Sequence, residues 1–388
     1  MNRTKTLLAA ALATSLAWMS SAALAQVKIG VTIPLSGPVA MLGTGQKKAM
    51  DFYPTRIGDL SVEYITLDDA SDTTTAVNNA RKLISEHNVD LVLGSSTTPQ
   101  CLAMVGPVAE TETPQICLGS ASAIVAPMDA KRKWVFKIPP NDAVYIDAIR
   151  AHMVGTGVKK VGFIGFNDAF GEAWLKELNR LAAQGPFKMS AVEYYTRTDS
   201  SVLAQVMKVM ATQPDAIIIV ASGSPAALPV ATLRERGYKG RIYLNASVAT
   251  KEFFDTAGPA ADGALLTVGV GLVAEQVPDS NPLKKLNLDF KQRYEGKFGP
   301  GSFNIFAQQG YDAYRILEKA VPVAAAKAKP GTKAFKVALR DAIEGIKELY
   351  GNTGIYSFTP EDHSGLDRRA LVLAKVEKGR LVYVPDVR

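Results

Sequence analysis

The chain has little of what metal and nucleophile chemistry needs. Its 388 residues include two cysteines and three histidines. The histidines, His87, His152 and His363, share no metal-ligand spacing, and a metal site needs ligand groups at matched intervals. No G-x-S-x-G nucleophile elbow occurs. Gly43-Thr44-Gly45-Gln46-Lys47-Lys48 lacks the G-x-x-x-x-G-K-S/T spacing of a phosphate loop and reads as the glycine-rich start of a surface helix. Asp68 and Asp69 are adjacent on an expected strand, so they point to opposite faces and make a polar strand end rather than a catalytic pair. No long basic block is interleaved with aromatics, which argues against nucleic acid. No repeat period of about 20–50 residues argues against a solenoid.

What is present begins with an export pattern. Arg3 and Lys5 give a positive start, Leu7 to Trp18 an apolar core, and Ala23-Leu24-Ala25 a small-residue cleavage site. The apolar core is short of the roughly 20 residues that span a membrane. Residues 1–25 are therefore expected to be a cleaved signal peptide. No cysteine precedes Cys101, so no lipid anchor is expected, and a free protein of the periplasm is. Loss of Arg3 and Lys5 takes the net charge from +7 to +5 (7 − 2). In an oxidising compartment Cys101 and Cys117 can pair; two buried thiols are the alternative.

Strand and helix patterns alternate. Ser61–Asp68 is strand-like, Asp72 is a helix N-cap, and Ala76, Val77, Ala80, Leu83 and Ile84 form one apolar helical stripe. Val89–Gly94, Lys160–Phe166 and Asp215–Ala221 are apolar runs of the kind buried on both faces of a parallel sheet. Further strands are expected at Gln115–Leu118 and Trp134–Ile138, and helices at Asp142–Val154 and Gly171–Ala183. Three helical patterns then follow one another, at about 286–295, 304–321 and 332–344. Two strands, Ala370–Lys375 and Arg380–Val384, close the chain around a Glu377-Lys378-Gly379 hairpin. The fold class is α/β with mostly parallel sheets, and the length suggests two domains.

Two hydroxyl-rich loops mark a candidate site. Gly94-Ser95-Ser96-Thr97-Thr98 and Gly119-Ser120-Ala121-Ser122 each follow a strand and enter a helix. Both fall at carboxyl ends of successive parallel strands, where open α/β sheets bind ligands. Hydroxyls and free helix N–H groups suit a carboxylate or another anion. N-capping by serine and threonine is the plainer reading of either loop alone.

The segments IGVTIPLSGPVAMLGTG, LDDASDTTTAVNNARKLISEHNVDLVLGSSTT and GFNDAFGEAWLKEL resemble periplasmic solute-binding proteins of the branched-chain amino acid type, which serve ATP-driven importers. The resemblance runs in order through nearly the whole mature chain. It implies two Rossmann-like lobes joined by three crossings and closing on a ligand. The lobes are expected at 26–141 plus 268–350 and at 142–267 plus 351–388. By similarity, Ser95, Ser96, Thr97, Ser120, Ala121 and Ser122 face the ligand from lobe one, with Leu42 where some members carry an aromatic. Phe170, Ser222, Gly223, Asn245 and Ser247 face it from lobe two. The Leu35-Ser36-Gly37-Pro38 turn is expected to form one wall of the cleft.

One departure bears on the ligand. Amino acid binders of this type place an acid near Asn245-Ala246-Ser247, and this chain has none there. A buried ammonium without a countercharge is costly, so an aromatic or short aliphatic acid fits better. Asp142 or Asp168 could still supply the charge, which keeps amino acids open. The resemblance implies no cofactor, no enzymatic activity, a permease of the inner membrane as partner and a monomer. A ligand-sensing subunit that reports to a membrane partner is the alternative. A periplasmic hydrolase lacks a nucleophile–base constellation.

Overall fold

The computed structural model describes residues 26–385; the export signal expected over residues 1–25 lies outside them. The first sheet contains β1 (Gln26–Ile33), β2 (Arg56–Ile57), β3 (Leu60–Asp68), β4 (Leu91–Gly94), β5 (Gln115–Cys117) and β6 (Val135–Lys137). Their order is β2-β3-β1-β4-β5-β6, parallel throughout except for β2. Helices α1 (Ala40–Met50), α2 (Thr73–Ser85) and α3 (Thr98–Glu110) connect these strands.

The second sheet contains β7 (Lys160–Phe166), β8 (Lys188–Tyr195), β9 (Ala216–Val220), β10 (Arg241–Leu244) and β11 (Leu265–Gly269). Around and between them run α4 (Asp142–Gly155), α5 (Ala169–Ala182), α6 (Leu203–Ala211), α7 (Ala227–Glu235) and α8 (Lys251–Ala257). Then come α9 (Lys284–Phe298), α10 (Ile305–Ala325) and α11 (Lys333–Glu344), of which α10 packs on α1 and α11. A short pair, β12 (Leu349–Tyr350) and β13 (Ile355–Tyr356), precedes the final hairpin of β14 (Leu371–Glu377) and β15 (Arg380–Val384). That hairpin extends the second sheet to β15-β14-β11-β10-β9-β7-β8. Its turn residues, Lys378 and Gly379, are both left-handed, at φ 50° and 71°, as a two-residue hairpin turn requires.

The chain crosses between the sheets after β6, after β11 and before β14. One expectation is corrected here. Residues 351–366, assigned to lobe two, lie on the first sheet's edge. Lys137 N donates to His363 O (3.0 Å) and Tyr356 Oη to Ile138 O (3.2 Å). The sequence could not reveal this, because the segment carries no periodicity and is placed by those long-range bonds.

Alternation along β4 shows how the first lobe's core divides. Val92 joins Ala80, Leu83, Met104 and Val108 of α2 and α3 on one face. Leu91 and Leu93 face the larger cluster that includes Ile316 and Leu317 of α10. Every residue of β9 is fully buried, as its apolar run implies. Among the described residues no helix is long and apolar enough to cross a membrane.

Candidate functional site

Each sheet reverses its strand order once. In the first the sequence β3-β1-β4 sends the connections after β1 and β4 in opposite directions; in the second β8-β7-β9 does the same. Such switch points leave a crevice at the carboxyl ends of the strands. Between the two crevices lies a narrow cleft walled by both lobes. Lobe one supplies Leu42, Ser96, Thr97, Thr98, Leu118, Ser120, Phe306 and Gln309; lobe two supplies Tyr145, Phe170, Arg197, Ser222 and Ser247.

The first wall is organised by Asp69, which accepts from Ser95 Oγ (2.7 Å) and from Gln100 Nε2 (2.7 Å). Burial pushes the Asp69 carboxyl up, and these hydrogen bonds oppose the shift. Gln100, oriented in this way, accepts the Thr97 hydroxyl at 2.6 Å. Thr97 is therefore occupied and does not cap α3, although it stands at the N-cap position. By contrast, Asp72, Asp168, Thr250, Asn304 and Thr332 each cap their own helix. The first-turn N–H groups of α3 are left without a side-chain cap at the cleft, where they favour an anion. Ser96 Oγ donates to buried Gln46, and Thr98 Oγ1 accepts from Ala121 N (3.3 Å), which leaves the Thr98 hydrogen free.

The loops that carry these groups are held from behind. Cys101 and Cys117 form a disulfide with Cα atoms 6.1 Å apart, tying the first turn of α3 to the end of β5. Gly94 has φ +118°, and a Cβ there would lie 1.9 Å from Thr32 O; only glycine lets β4 turn into the Ser95–Thr97 loop beside β1. Lys137 is fully buried, and its Nζ donates to Ser120 O (2.9 Å), Pro139 O (2.7 Å) and Pro140 O (2.8 Å). Burial pulls the Lys137 pKa down to about 7, against the pull of the Asp142 and Asp362 carboxylates.

The second wall is centred on Arg197, which follows β8. Its guanidinium donates to Asp168 Oδ2 (2.7 Å) and Ser222 Oγ (2.9 Å) and lies over the Phe166 ring at 4.2 Å. Asp168 Oδ1 meanwhile accepts from Phe170 N and Gly171 N and so starts α5. This aims Phe170 at the cleft, where its ring neighbours Trp174.

Of the residues expected from the sequence, Leu42, Ser96, Thr97, Ser120, Phe170, Ser222 and Ser247 line the cleft. The others are placed elsewhere. Ser95 turns to Asp69 and is fully buried. Ala121 gives its N–H to Thr98. Ser122 and Asp142 exchange two bonds, Ser122 N to Asp142 Oδ2 (2.7 Å) and Asp142 N to Ser122 Oγ (3.0 Å), which start α4. Asn245 Oδ1 accepts from Ala221 N (3.0 Å). Gly223 meets Met41 of α1, whose Sδ would lie 2.3 Å from an added Cβ. The Leu35–Pro38 turn is no wall of the cleft: Asp68 draws Leu35 N (2.8 Å) and Ser36 Oγ (2.6 Å) to itself, and Ser36, Gly37 and Pro38 are exposed. Neither Asp142 nor Asp168 lines the cleft as a free carboxylate.

Arg197 was not found from the sequence, because it lies beyond the strand β8 that sequence patterning did not identify. The histidines are structural where they are paired. His363 bonds Val135 O (2.9 Å) and Glu344 (3.1 Å), and His152 bonds Tyr243 Oη (2.8 Å).

A family model described as periplasmic binding protein matches residues 26–380. An extracellular ligand-binding receptor from Rhodopseudomonas palustris HaA2 is 42% identical, with a TM-score of 0.88 over 92% of this chain and 99% of its own. The Leu/Ile/Val-binding protein homolog 7 of Brucella abortus is 22% identical over 93% of this chain and 92% of its own. A solute-binding protein of an R. palustris ABC transporter, solved in complex with benzoate, is 19% identical and shares the fold, with a TM-score of 0.76 over 92% of this chain and 95% of its own. The chain spans about 31% of another curated relative, Glutamate receptor 2.1 of Arabidopsis thaliana, at 23% identity.

Proposed function

We propose that this chain, which belongs to the periplasmic binding protein family, captures a small carboxylic acid between its lobes and delivers it to an ATP-driven importer. The family is one of solute-binding proteins, and the chain is not an enzyme. One observation carries the choice of ligand. The cleft walls combine the uncapped start of α3, free hydroxyl hydrogens and Arg197 with apolar Leu42, Leu118, Tyr145, Phe170 and Phe306, and include no carboxylate. Donors facing an apolar chamber suit an anion with an apolar body. The benzoate bound by the R. palustris relative is a ligand of that kind.

The contact of Gly223 with Met41 across the lobes supports closure on the ligand, and hinged closure of two lobes is a general device of binding proteins. The protein acts as a monomer in the periplasm, exported by its first 25 residues, with a permease of the inner membrane as partner.

A branched-chain amino acid is the second reading. The Brucella relative's name favours it, and so does Thr97, whose hydrogen is committed to Gln100 and whose oxygen can accept from an ammonium. Titration calorimetry with benzoate, hexanoate and leucine separates the two. Micromolar or tighter binding of an acid, with leucine weaker by tenfold or more, is expected. Preference for leucine would select the second reading, and silence of all small acids and amino acids would end both.

A further inference from the structure

We propose that Arg197 and Ser222 form a second donor end of the cleft, which selects acids that carry a further oxygen acceptor away from their carboxylate. The proposal rests on the reading that a small acid is captured there, and it supplies what that reading leaves open, the chemistry at the ligand's other end.

The argument is one of hydrogen inventory. A guanidinium has five N–H donors and no acceptor. Two of them are engaged, one by Asp168 and one by Ser222. Ser222 Oγ, by accepting from Arg197, keeps its own hydrogen to give, and Ser222 is buried at 5% exposure on the cleft wall. Both Asp168 oxygens accept from protein donors, Oδ2 from Arg197 and Oδ1 from the N–H groups of Phe170 and Gly171. The lobe-two end therefore offers donors from both side chains, with the Asp168 carboxylate turned to Arg197 and to the start of α5. A methyl or ring edge placed there leaves these donors unpaired once the lobes exclude water, which is costly. A second carboxylate, a phenolic oxygen or a hydroxyl pairs with them. An ammonium at this end meets hydrogen-bond donors rather than acceptors.

The position of Arg197 is also fixed rather than incidental. Its Cζ lies over the Phe166 ring, 4.2 Å from the centroid, while Asp168 accepts from one guanidinium nitrogen. A planar guanidinium fork suits directed recognition of oxygen acceptors, which a lysine does not reproduce.

The test is calorimetric titration of the mature protein with matched acids: para-methylbenzoate against para-hydroxybenzoate, and hexanoate against adipate. In the wild type the second member of at least one pair is expected to bind about tenfold tighter or better. In Arg197→Met, checked for an unchanged cooperative melt, the members of that pair should bind within about threefold of each other; Arg197→Lys should recover only part of the difference. The wild-type comparison stands alone should the variants fail to fold. Equal or tighter binding of the first members overturns the proposal and leaves acid capture intact. So does an Arg197→Met variant that weakens both members equally, since that is a structural effect. Failure of every acid to bind the wild type overturns acid capture and, with it, this proposal.

Discussion

The two lobes reach the same cleft by different means. Lobe one presents backbone and hydroxyl groups on a loop that is clamped from behind by a disulfide, by Asp69 and by Lys137. Lobe two presents one charged side chain, held at its tip by the Asp168 carboxylate, the Ser222 hydroxyl and the Phe166 ring. A clamped loop is a preformed receptor whose cost is met on folding. A side chain on a long stem is placed by the partners at its tip. The comparison implies that damage behind the first wall registers as stability, and damage to the second as selectivity.

The largest effect is expected at Lys137. Lys137→Met strips three buried carbonyls of their donor and should cost about 3 kcal/mol or more in urea unfolding. The same residue gives a pH signature. Burial lowers its pKa in the folded state from 10.5 to about 7, so between these values the unfolded chain binds more protons. Its contribution to stability therefore rises as pH goes from about 7 toward 10, approaching about 1.4 kcal/mol per unit. A wild type whose stability fails to gain on Lys137→Met over that range would break the account.

Next comes the disulfide. It closes a sequence separation of 16, and the paired change of Cys101 and Cys117 to alanine should cost about 3 kcal/mol, read from the thermal melt under matched conditions. Affinity should fall less than stability, because Asp69 still holds the Ser95 hydroxyl and the Gln100 amide. Ser120→Ala removes a hydroxyl that lines the cleft and is expected to weaken acid binding by about tenfold, measured by calorimetry, with little change in melting temperature.

The smallest effect is expected at the rim. Gly223 has φ +64°, and an added Cβ would press on the flexible Met41 side chain. Gly223→Ala should weaken binding severalfold by resisting closure, and small-angle scattering should record a smaller contraction on adding ligand than in the wild type. An unchanged contraction would remove Gly223 from the closing contact.

Much of the architecture was legible in the chain itself, and the reason is local. β9 is a continuous apolar run, α2 carries one apolar stripe behind Asp72, and β14 and β15 are joined by Lys378-Gly379. Each pattern depends on neighbours within a few residues, so the sequence displays it. The edge strand β8 escaped because most of its residues are only partly buried or exposed, which leaves no clean alternation to read. Losing β8 concealed Arg197.

The site divides along the same line. Strand-end position and hydroxyl content point to Ser96, Thr97 and Ser120, because a loop after a parallel strand must open at the sheet's carboxyl edge. Which hydroxyls face the cleft was settled only by partners distant in the chain. Ser95 is turned inward by Asp69, and Ser122 is taken by Asp142. Thr97 loses its capping role to Gln100, whose amide Asp69 orients. The acid missing near Asn245 was visible as a gap, but what stands at that end of the cleft was not. Arg197 arrives there through the pairing of β8 with β7 and through the grip of Asp168. Sequence by itself determined the elements and the strand ends at which a ligand can sit. Tertiary structure alone decided which donors remain free there, because a hydrogen bond is claimed by the partner that folding brings within reach.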